Sequence, residues 1–141
     1  MDYQQTVNFF RSVAEKVNQS GHFVHGRRVD VAIDYDMPFP QIALLPIRSE
    51  PNRQNANITH RIVLLFLDQD TPETSNEERE EIIQKMYVLL NTFMDELLEN
   101  PLIQVTNEII TPEYRIMQAT ASGYSVSFTI PTKLPCYADK C

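Results

Sequence analysis

The side chains that could do metal or nucleophilic chemistry are few and widely spaced. His22 and His25 lie near the start of the sequence, His60 lies in a separate segment, and Cys136 and Cys141 fall within the last six residues. A zinc site needs its histidine and cysteine ligands to converge, and nothing in this spacing brings them together. A disulfide between the two cysteines would close only a terminal loop. We therefore predict free thiols and no metal site.

Two carboxylates stand at a position that many α/β enzymes use for metal binding. Asp68 and Asp70 follow a long apolar segment and precede a predicted helix. One hypothesis is a metal-dependent hydrolase that uses both, together with a further carboxylate. The glycine and the distal glutamate of an EF-hand loop are missing. The preferred interpretation is an acidic turn before a helix, whose N-terminal dipole favours negative charge.

Nucleotide-binding and hydrolase motifs do not occur in the sequence. Gly21, Gly26 and Gly123 are too few and too scattered for a phosphate-binding loop, and neither G-x-S-x-G nor H-E-x-x-H is present. The net charge of -7, without a basic stripe, argues against sequence-specific or autonomous binding of nucleic acid. The longest apolar run, residues 62–67, is too short to cross a membrane. We expect a protein that is not an enzyme, needs no cofactor and does not bind membranes.

Capping and periodicity predict the first elements. Asp2 and Gln5 have the spacing of a capping box, and the apolar period that follows predicts a helix over residues 3–20, ended by Gly21. Alternation of apolar and polar residues then predicts a strand over residues 23–34.

A long hairpin is predicted next. Residues 41–48 form its first strand, in which Pro46 lacks an amide hydrogen and indicates an edge or a bulge. Residues 49–57 are almost wholly polar and predict the loop at its tip. Residues 58–68 begin with alternation and end as a continuous apolar run. That pattern predicts the central strand of the sheet, covered on both faces.

One long helix and further strands are predicted in the second half. Overlapping capping boxes and an apolar face predict a helix over residues 75–99. Residues 102–110 and 114–119 are two strand candidates, separated by Thr111–Pro112. Strict alternation over residues 124–130 predicts the last strand.

The element order α-β-β-β-α-β-(β)-β predicts an α+β fold. In it, a mostly antiparallel sheet of about four to six strands, with a long hairpin, packs against two helices. No repeat, low-complexity tract or glycine-rich linker divides the sequence. We expect one domain over residues 1–131 and a C-terminal tail over residues 132–141.

The order and size of these elements resemble those of bacteriophage tail-terminator and head–tail joining proteins. The shared features are a capped first helix, a long hairpin with a polar tip, a long acidic helix and an amphipathic last strand, over residues 3–131. The run from Gly123 to Pro131, followed by Cys136, is also similar to the closing strand of small phage tail-completion proteins.

The resemblance implies a structural virion protein of the neck or tail, assembled in the host cytoplasm. Its implied partners are further copies of itself, in a six-fold or twelve-fold ring that leaves a DNA channel, and other phage neck or tail proteins. In such rings the hairpin reaches a neighbouring subunit or the next ring, which assigns that role to residues 41–68. The candidate contact residues are Arg48, Arg53, Asn55 and Asn57. The alternative is an intracellular α+β adaptor or small-ligand module with a concave apolar pocket.

The acidity of the sequence is concentrated in one segment. Residues 68–99 carry ten acidic and two basic side chains, against nine and ten in the remaining 109 residues. Solvated helix surface and favourable placement at the helix dipole account for this pattern. The alternative hypothesis is a surface that faces the channel, where like charge keeps passing DNA from sticking. The candidate residues of that surface are Glu77, Glu78, Glu80 and Glu81.

Overall fold

The computed structural model describes residues 2–26, 38–71, 73–115 and 121–133. These residues confirm the predicted α+β fold, with two helices packed against a mostly antiparallel six-stranded sheet. The elements, in chain order, are α1 (Tyr3–Val17), β1 (His22–His25), β2 (Gln41–Leu44), β3 (Arg48–Asn52), β4 (Asn57–Gln69), α2 (Asn76–Leu98), β5 (Thr106–Arg115) and β6 (Ala121–Lys133).

The sheet is built around β4, as the sequence predicts. The strand order is β1-β2-β4-β6-β5, and β3 pairs with β4 on the same side as β2. Among the described strands, β1 and β2 run parallel and all other pairs are antiparallel. β4 pairs with β6 along its full length, from Asn57 opposite Lys133 to Gln69 opposite Ala121.

Both faces of β4 are covered by apolar side chains. Successive side chains of a strand point to opposite faces, so a continuous apolar run is stable only where both faces are buried. Ile62, Leu64 and Phe66 face the helices and are fully buried in the main core. A smaller cluster on the opposite face contains Ala43, Leu65, Leu67 and Ala121.

Both helices begin at predicted capping boxes. The Asp2 carboxylate accepts a hydrogen bond from the Gln5 amide at 2.8 Å, and the Ser75 hydroxyl accepts one from the Glu78 amide at 3.1 Å. In each box the third helical side chain also reaches back to the cap amide. These bonds satisfy amide groups that have no partner inside the helix.

The first helix is shorter than predicted. α1 ends at Val17, because Asn18 leaves the helical conformation (φ -133°, ψ 59°) and its side-chain amide donates to the Pro40 carbonyl oxygen at 2.8 Å. The helices pack through Phe10 of α1 and Phe93 of α2, whose ring centroids lie 6.2 Å apart at an interplanar angle of 6°. This contact closes the main core above the sheet.

The predicted strand over residues 41–48 is in fact divided. β2 ends at Leu44 and β3 begins at Arg48, with Pro46 between them. Four of the nine residues predicted as loop belong to β3 and one to β4, so the turn covers only residues 53–56. Pairing with β4 holds β3 in the sheet despite its polar composition, because strand formation depends on pairing context more than on intrinsic preference.

The two strand candidates of the second half are one strand. β5 runs through Thr111–Pro112 without a break, which an edge strand tolerates because the missing amide hydrogen can face solvent. β6 extends beyond residues 124–130 at both ends, so residues 132 and 133 of the predicted tail belong to the sheet. The rest of the tail, with both cysteines, and residues 27–34 of the predicted first strand lie outside the described residues.

Gly123 is a position where β6 approaches β4 too closely for a side chain. A Cβ atom added there would overlap the carbonyl oxygen of Phe66. We expect Gly123→Ala to lower the free energy of unfolding by about 2 kcal/mol or more, measured by urea denaturation. Ser127→Ala on the same strand is the control and should change it by less than about 0.5 kcal/mol. Equal stability of Gly123→Ala and wild type would contradict this packing.

Candidate functional site

The segment made of β3, the turn and the start of β4 carries all four predicted contact residues at one end of the sheet. Arg48 opens β3, Arg53 and Asn55 lie in the turn, and all three are exposed. Asn57 opens β4 and is half-buried. The four residues share one surface, and their role in subunit contacts stays a prediction.

Residues 48–61, here called the hairpin, present an excess of positive charge. Arg48 and Arg61 lie directly opposite each other across the β3–β4 ladder, so their side chains share the face turned away from the helices. Glu50 is 3.7 Å from Arg48, but such exposed pairs contribute little. Arg53 adds a third cation at the turn. Like charges directly opposite are unfavourable, so this surface would be stabilised by an acidic partner.

A serine and a histidine also meet on the hairpin, on the face toward the helices. The Ser49 hydroxyl lies 2.7 Å from Nδ1 of His60. His60 is only 5% exposed, and its Nε2 atom has no hydrogen-bond partner among the described residues. Burial lowers the pKa of His60, so the ring is neutral near pH 7. The sequence predicted a partly buried structural side chain at His60 and did not predict its serine partner.

The buried Nε2 atom decides what the Ser49–His60 pair can do. A buried N–H without a partner is costlier than an unfilled acceptor lone pair. The favoured tautomer therefore carries its proton on Nδ1 and donates it to the Ser49 oxygen, which leaves Nε2 as the bare acceptor. In that tautomer His60 cannot remove the serine proton, as a nucleophilic dyad requires. The pair therefore acts as a structural cross-strand bond.

Asp70 is the most tightly held charged group in the described structure. It is fully buried, and its carboxylate accepts hydrogen bonds from Nε and Nη2 of Arg79, at 2.7 and 3.3 Å, and from the Ser122 hydroxyl. Burial opposes its ionisation, but the bonds from Arg79 and Ser122 outweigh burial and hold the pKa of Asp70 below its usual value. The network ties the end of β4 to the first turns of α2 and to β6.

Asp68 and Asp70, the two carboxylates of the hydrolase hypothesis, accept hydrogen bonds from different groups. Both oxygens of Asp70 accept hydrogen bonds within the network, whereas an oxygen of Asp68 accepts from the Gln69 amide at 2.8 Å. Within residues 2–26, 38–71, 73–115 and 121–133, no three histidine, cysteine, aspartate or glutamate side chains are grouped to hold a metal ion. Asp70 therefore serves the fold, because its lone pairs are committed to Arg79 and Ser122.

The four candidate channel residues are all exposed but differ in their surroundings. Glu78 caps its own helix through the Ser75 amide, at 3.4 Å. Glu77 and Glu81 are four residues apart and share one outward face of α2. Glu80 lies seven residues before Tyr87, on the same side of the helix. The helix therefore engages Glu78 as a cap and leaves the other three on its exposed side, with Glu80 nearest to the line of Tyr87.

The acidic start of α2 and the basic hairpin lie at opposite ends of the sheet. Asp70, which anchors the start of α2, follows the last residue of β4, and the hairpin holds the first. Residues 62–69 of β4 separate the end of the hairpin from Asp70, a distance of about 30 Å at the usual rise of an extended strand. The fold therefore places its positive and negative surfaces far apart on one rigid sheet.

A shallow groove lies between the two helices. Its volume of about 370 Å³ falls within the range of small-ligand sites. Lys16 and Glu96 form an ion pair in its wall, and the groove is open to solvent. Its lining residues are Phe9, Ser12, Val13, Lys16, Glu96, Glu99 and Asn100.

An aromatic surface lies on the helix side of the sheet, beside β5. Tyr87 of α2 contacts Tyr124 of β6, with ring centroids 5.3 Å apart. Ile110 pairs with Val126 of the core face, so Ile110 and Tyr114 of β5 point to the same side. We call Tyr87, Ile110, Tyr114 and Tyr124 the tyrosine patch. Sequence reasoning missed it because it joins three elements; the alternation of Ile110, Pro112 and Tyr114 along β5 was the available signal.

Comparison of the sequence with protein-family models and with curated proteins finds no match. Within the described residues, no helix is both long and apolar enough to span a membrane. Three surfaces of the described residues stand out by charge or exposed aromatic area: the basic hairpin, the acidic start of α2 and the tyrosine patch.

Replacement of Asp70 tests the buried network. Asp70→Asn leaves Arg79 without its partner in a mostly buried site and should cost about 3 kcal/mol of stability at pH 7. Folding lowers the pKa of Asp70. Its stabilisation is therefore complete above about pH 4, the unfolded pKa, and is lost as pH falls through the folded value.

Urea denaturation across this pH range measures the effect. The stability difference between wild type and Asp70→Asn should shrink as the solution becomes more acidic. Asp68→Asn, which changes a half-buried carboxylate outside the network, is the control and should differ from wild type by less than about 0.5 kcal/mol. A difference for Asp70→Asn that does not change with pH would rule out the ionised network.

Proposed function

We propose that the protein is a non-enzymatic subunit of a ring at the neck or tail terminus of a bacteriophage. The observation that carries the proposal is the separation of charge along the sheet, with the basic hairpin at one end and the acidic start of α2 at the other. Opposite charges at opposite ends favour head-to-tail contact between copies. Head-to-tail contacts close into rings when the rotation between copies closes.

The sheet edges support contact through side chains and disfavour strand addition. β5 carries Pro112 and an irregularity between Thr106 and Ile109, where Asn107 has a φ of 57°. β3 contains Pro51. Prolines and bulges on edge strands prevent continuous pairing with another chain. Subunits would therefore meet through the side chains of the hairpin. The candidate contact residues are Arg48, Arg53, Asn55 and Asn57.

The phage assignment is supported by the element order and by the long hairpin. A capped helix, three strand segments that build a hairpin, a long acidic helix and a closing two-stranded unit occur here in the order that tail-terminator and head–tail joining proteins share. Other neck or tail proteins are then the further partners, and the virion is the location.

The outward face of α2 is proposed to border the DNA channel. Glu77 and Glu81 are exposed and share that face, so they would repel the phosphate backbone of passing DNA. Glu78 contributes less because it is engaged as a cap. Glu80 belongs to the side of the helix that carries the tyrosine patch.

Assembly is tested first through the hairpin. Wild-type protein should form a closed ring, seen by light scattering after size-exclusion chromatography and by negative-stain microscopy, either alone or with purified neck and tail proteins. Arg53→Glu should weaken association at least tenfold, about 1.4 kcal/mol, with unchanged thermal unfolding. Lys85→Glu makes the same charge change on α2 and is the control. A wild type that stays monomeric under both conditions would refute the ring.

The channel is tested by reversing charge on α2. Glu77→Lys with Glu81→Lys should leave ring formation intact but reduce the yield of infectious particles, because cations at the channel wall would hold DNA phosphates. The reduction should be at least tenfold in a complementation assay. Glu15→Lys with Glu108→Lys makes the same charge change at exposed side chains of α1 and β5 and serves as the control. Unchanged infectivity of the variant with Glu77→Lys and Glu81→Lys would show that α2 does not border the channel.

A further inference from the structure

The tyrosine patch leaves large apolar side chains exposed at one edge of the sheet. Tyr87 is 42% exposed, Ile110 36% and Tyr114 49%, while Tyr124 is half-buried beneath Tyr87. Tyrosine is enriched at the centre of protein interfaces, since it offers a large apolar body with a polar tip. The patch therefore has the composition of a contact surface.

One exposed carboxylate, Glu80, lies on the same side of α2 as the patch. It lies two turns nearer the helix start than Tyr87. Tyrosine ring faces attract guanidinium groups as well, most strongly where the contact excludes water. Carboxylate and aromatic groups together favour a partner that presents arginine.

We propose that the tyrosine patch of one copy receives the hairpin of the neighbouring copy. This inference rests on the proposed ring and names the two surfaces that meet in it. The hairpin presents Arg48, Arg53 and Arg61 with one acidic residue, Glu50, which matches the aromatic rings of the patch and the carboxylate on the same side of α2.

One chain cannot make this contact with itself. Tyr124 pairs with Phe66 of β4, five residues along the strand from Arg61 at the end of the hairpin, a distance of roughly 17 Å. Arg48 and Arg61 also lie on the face of the sheet opposite to the patch. The hairpin and the patch are fixed to the same strands, so they cannot approach each other within one subunit. The contact must therefore join two copies.

Charge also selects the head-to-tail arrangement over a symmetric dimer. A patch-to-patch dimer would bring Glu80 of each copy toward the other copy, and a hairpin-to-hairpin dimer would oppose arginines with arginines. Like charges brought together across an interface are unfavourable by several kcal/mol. Only the contact of hairpin with patch pairs opposite charges, and its two surfaces differ, as a ring requires.

Site-specific photo-cross-linking tests the contact directly. Benzoylphenylalanine placed at Tyr114 in the assembled full-length protein should form an intermolecular cross-link to residues 48–61, identified by mass spectrometry. The matched control is the same probe at Ile109, which is 61% exposed on the same strand but points to the opposite face. That probe should not reach the hairpin. Cross-links from position 114 to β5 of another copy, or no cross-link in assembled rings, would overturn the proposal.

Substitution of the patch gives an independent measurement. Tyr87→Ser with Tyr114→Ser should weaken association at least tenfold, whereas Ile109→Ser, which removes a comparably exposed apolar side chain, should not. Thermal unfolding of each variant checks that the fold is kept. Rings that form equally well without the two tyrosines would overturn the patch contact and leave the ring proposal standing. A wild-type protein that never assembles would refute both the patch contact and the ring.

Discussion

Thirteen residues of β4 pair with thirteen residues of β6, from Asn57 opposite Lys133 to Gln69 opposite Ala121. This ladder fixes every other part of the described fold. β2 and β3 share the other side of β4, β5 pairs with the outer side of β6, and the helices cover the face that carries Phe66. Because both faces of β4 are buried, a shift of register by one residue would exchange its two apolar sets and is strongly opposed.

Each end of this ladder carries one buried polar group with a single structural task. Asp70 joins α2 and β6 through Arg79 and Ser122 at one end, and His60 joins β3 to β4 through Ser49 near the other. In both places the hydrogen-bonding capacity that chemistry would use is committed to the fold or enclosed within it. At the surface of the described residues, charge and exposed aromatic area are distributed unevenly.

The sheet therefore has one basic end and one acidic end. The hairpin is basic, the start of α2 is acidic, and the long ladder holds them about 30 Å apart. A rigid body with unlike ends associates more favourably head to tail than symmetrically, since symmetric contacts oppose like charges. The proposed ring and the proposed contact of hairpin with tyrosine patch both follow from this geometry, whereas the prolines of β3 and β5 limit association through the strand edges.

The sequence by itself determined the elements whose signals are local. The capping boxes at Asp2 and Ser75 fix where the helices begin, and the apolar run of β4 marks the central strand, because each depends on neighbours a few residues away. Composition did not reveal that the polar residues of β3 form a strand, since that depends on pairing with β4. It also did not reveal that β5 continues through Pro112, since that depends on pairing with β6. The acidity of residues 68–99 was visible, but its division among a cap, an outward face and the side beside Tyr87 needed the helix in place.

The tertiary structure alone decided which side chains meet. Arg79 lies nine residues from Asp70 and Ser122 fifty-two, yet all three share one buried site. Tyr87 and Tyr124 belong to different elements and touch only because α2 packs on β6. Contacts of this kind are set by the packing of elements against one another, which spacing along the chain does not encode.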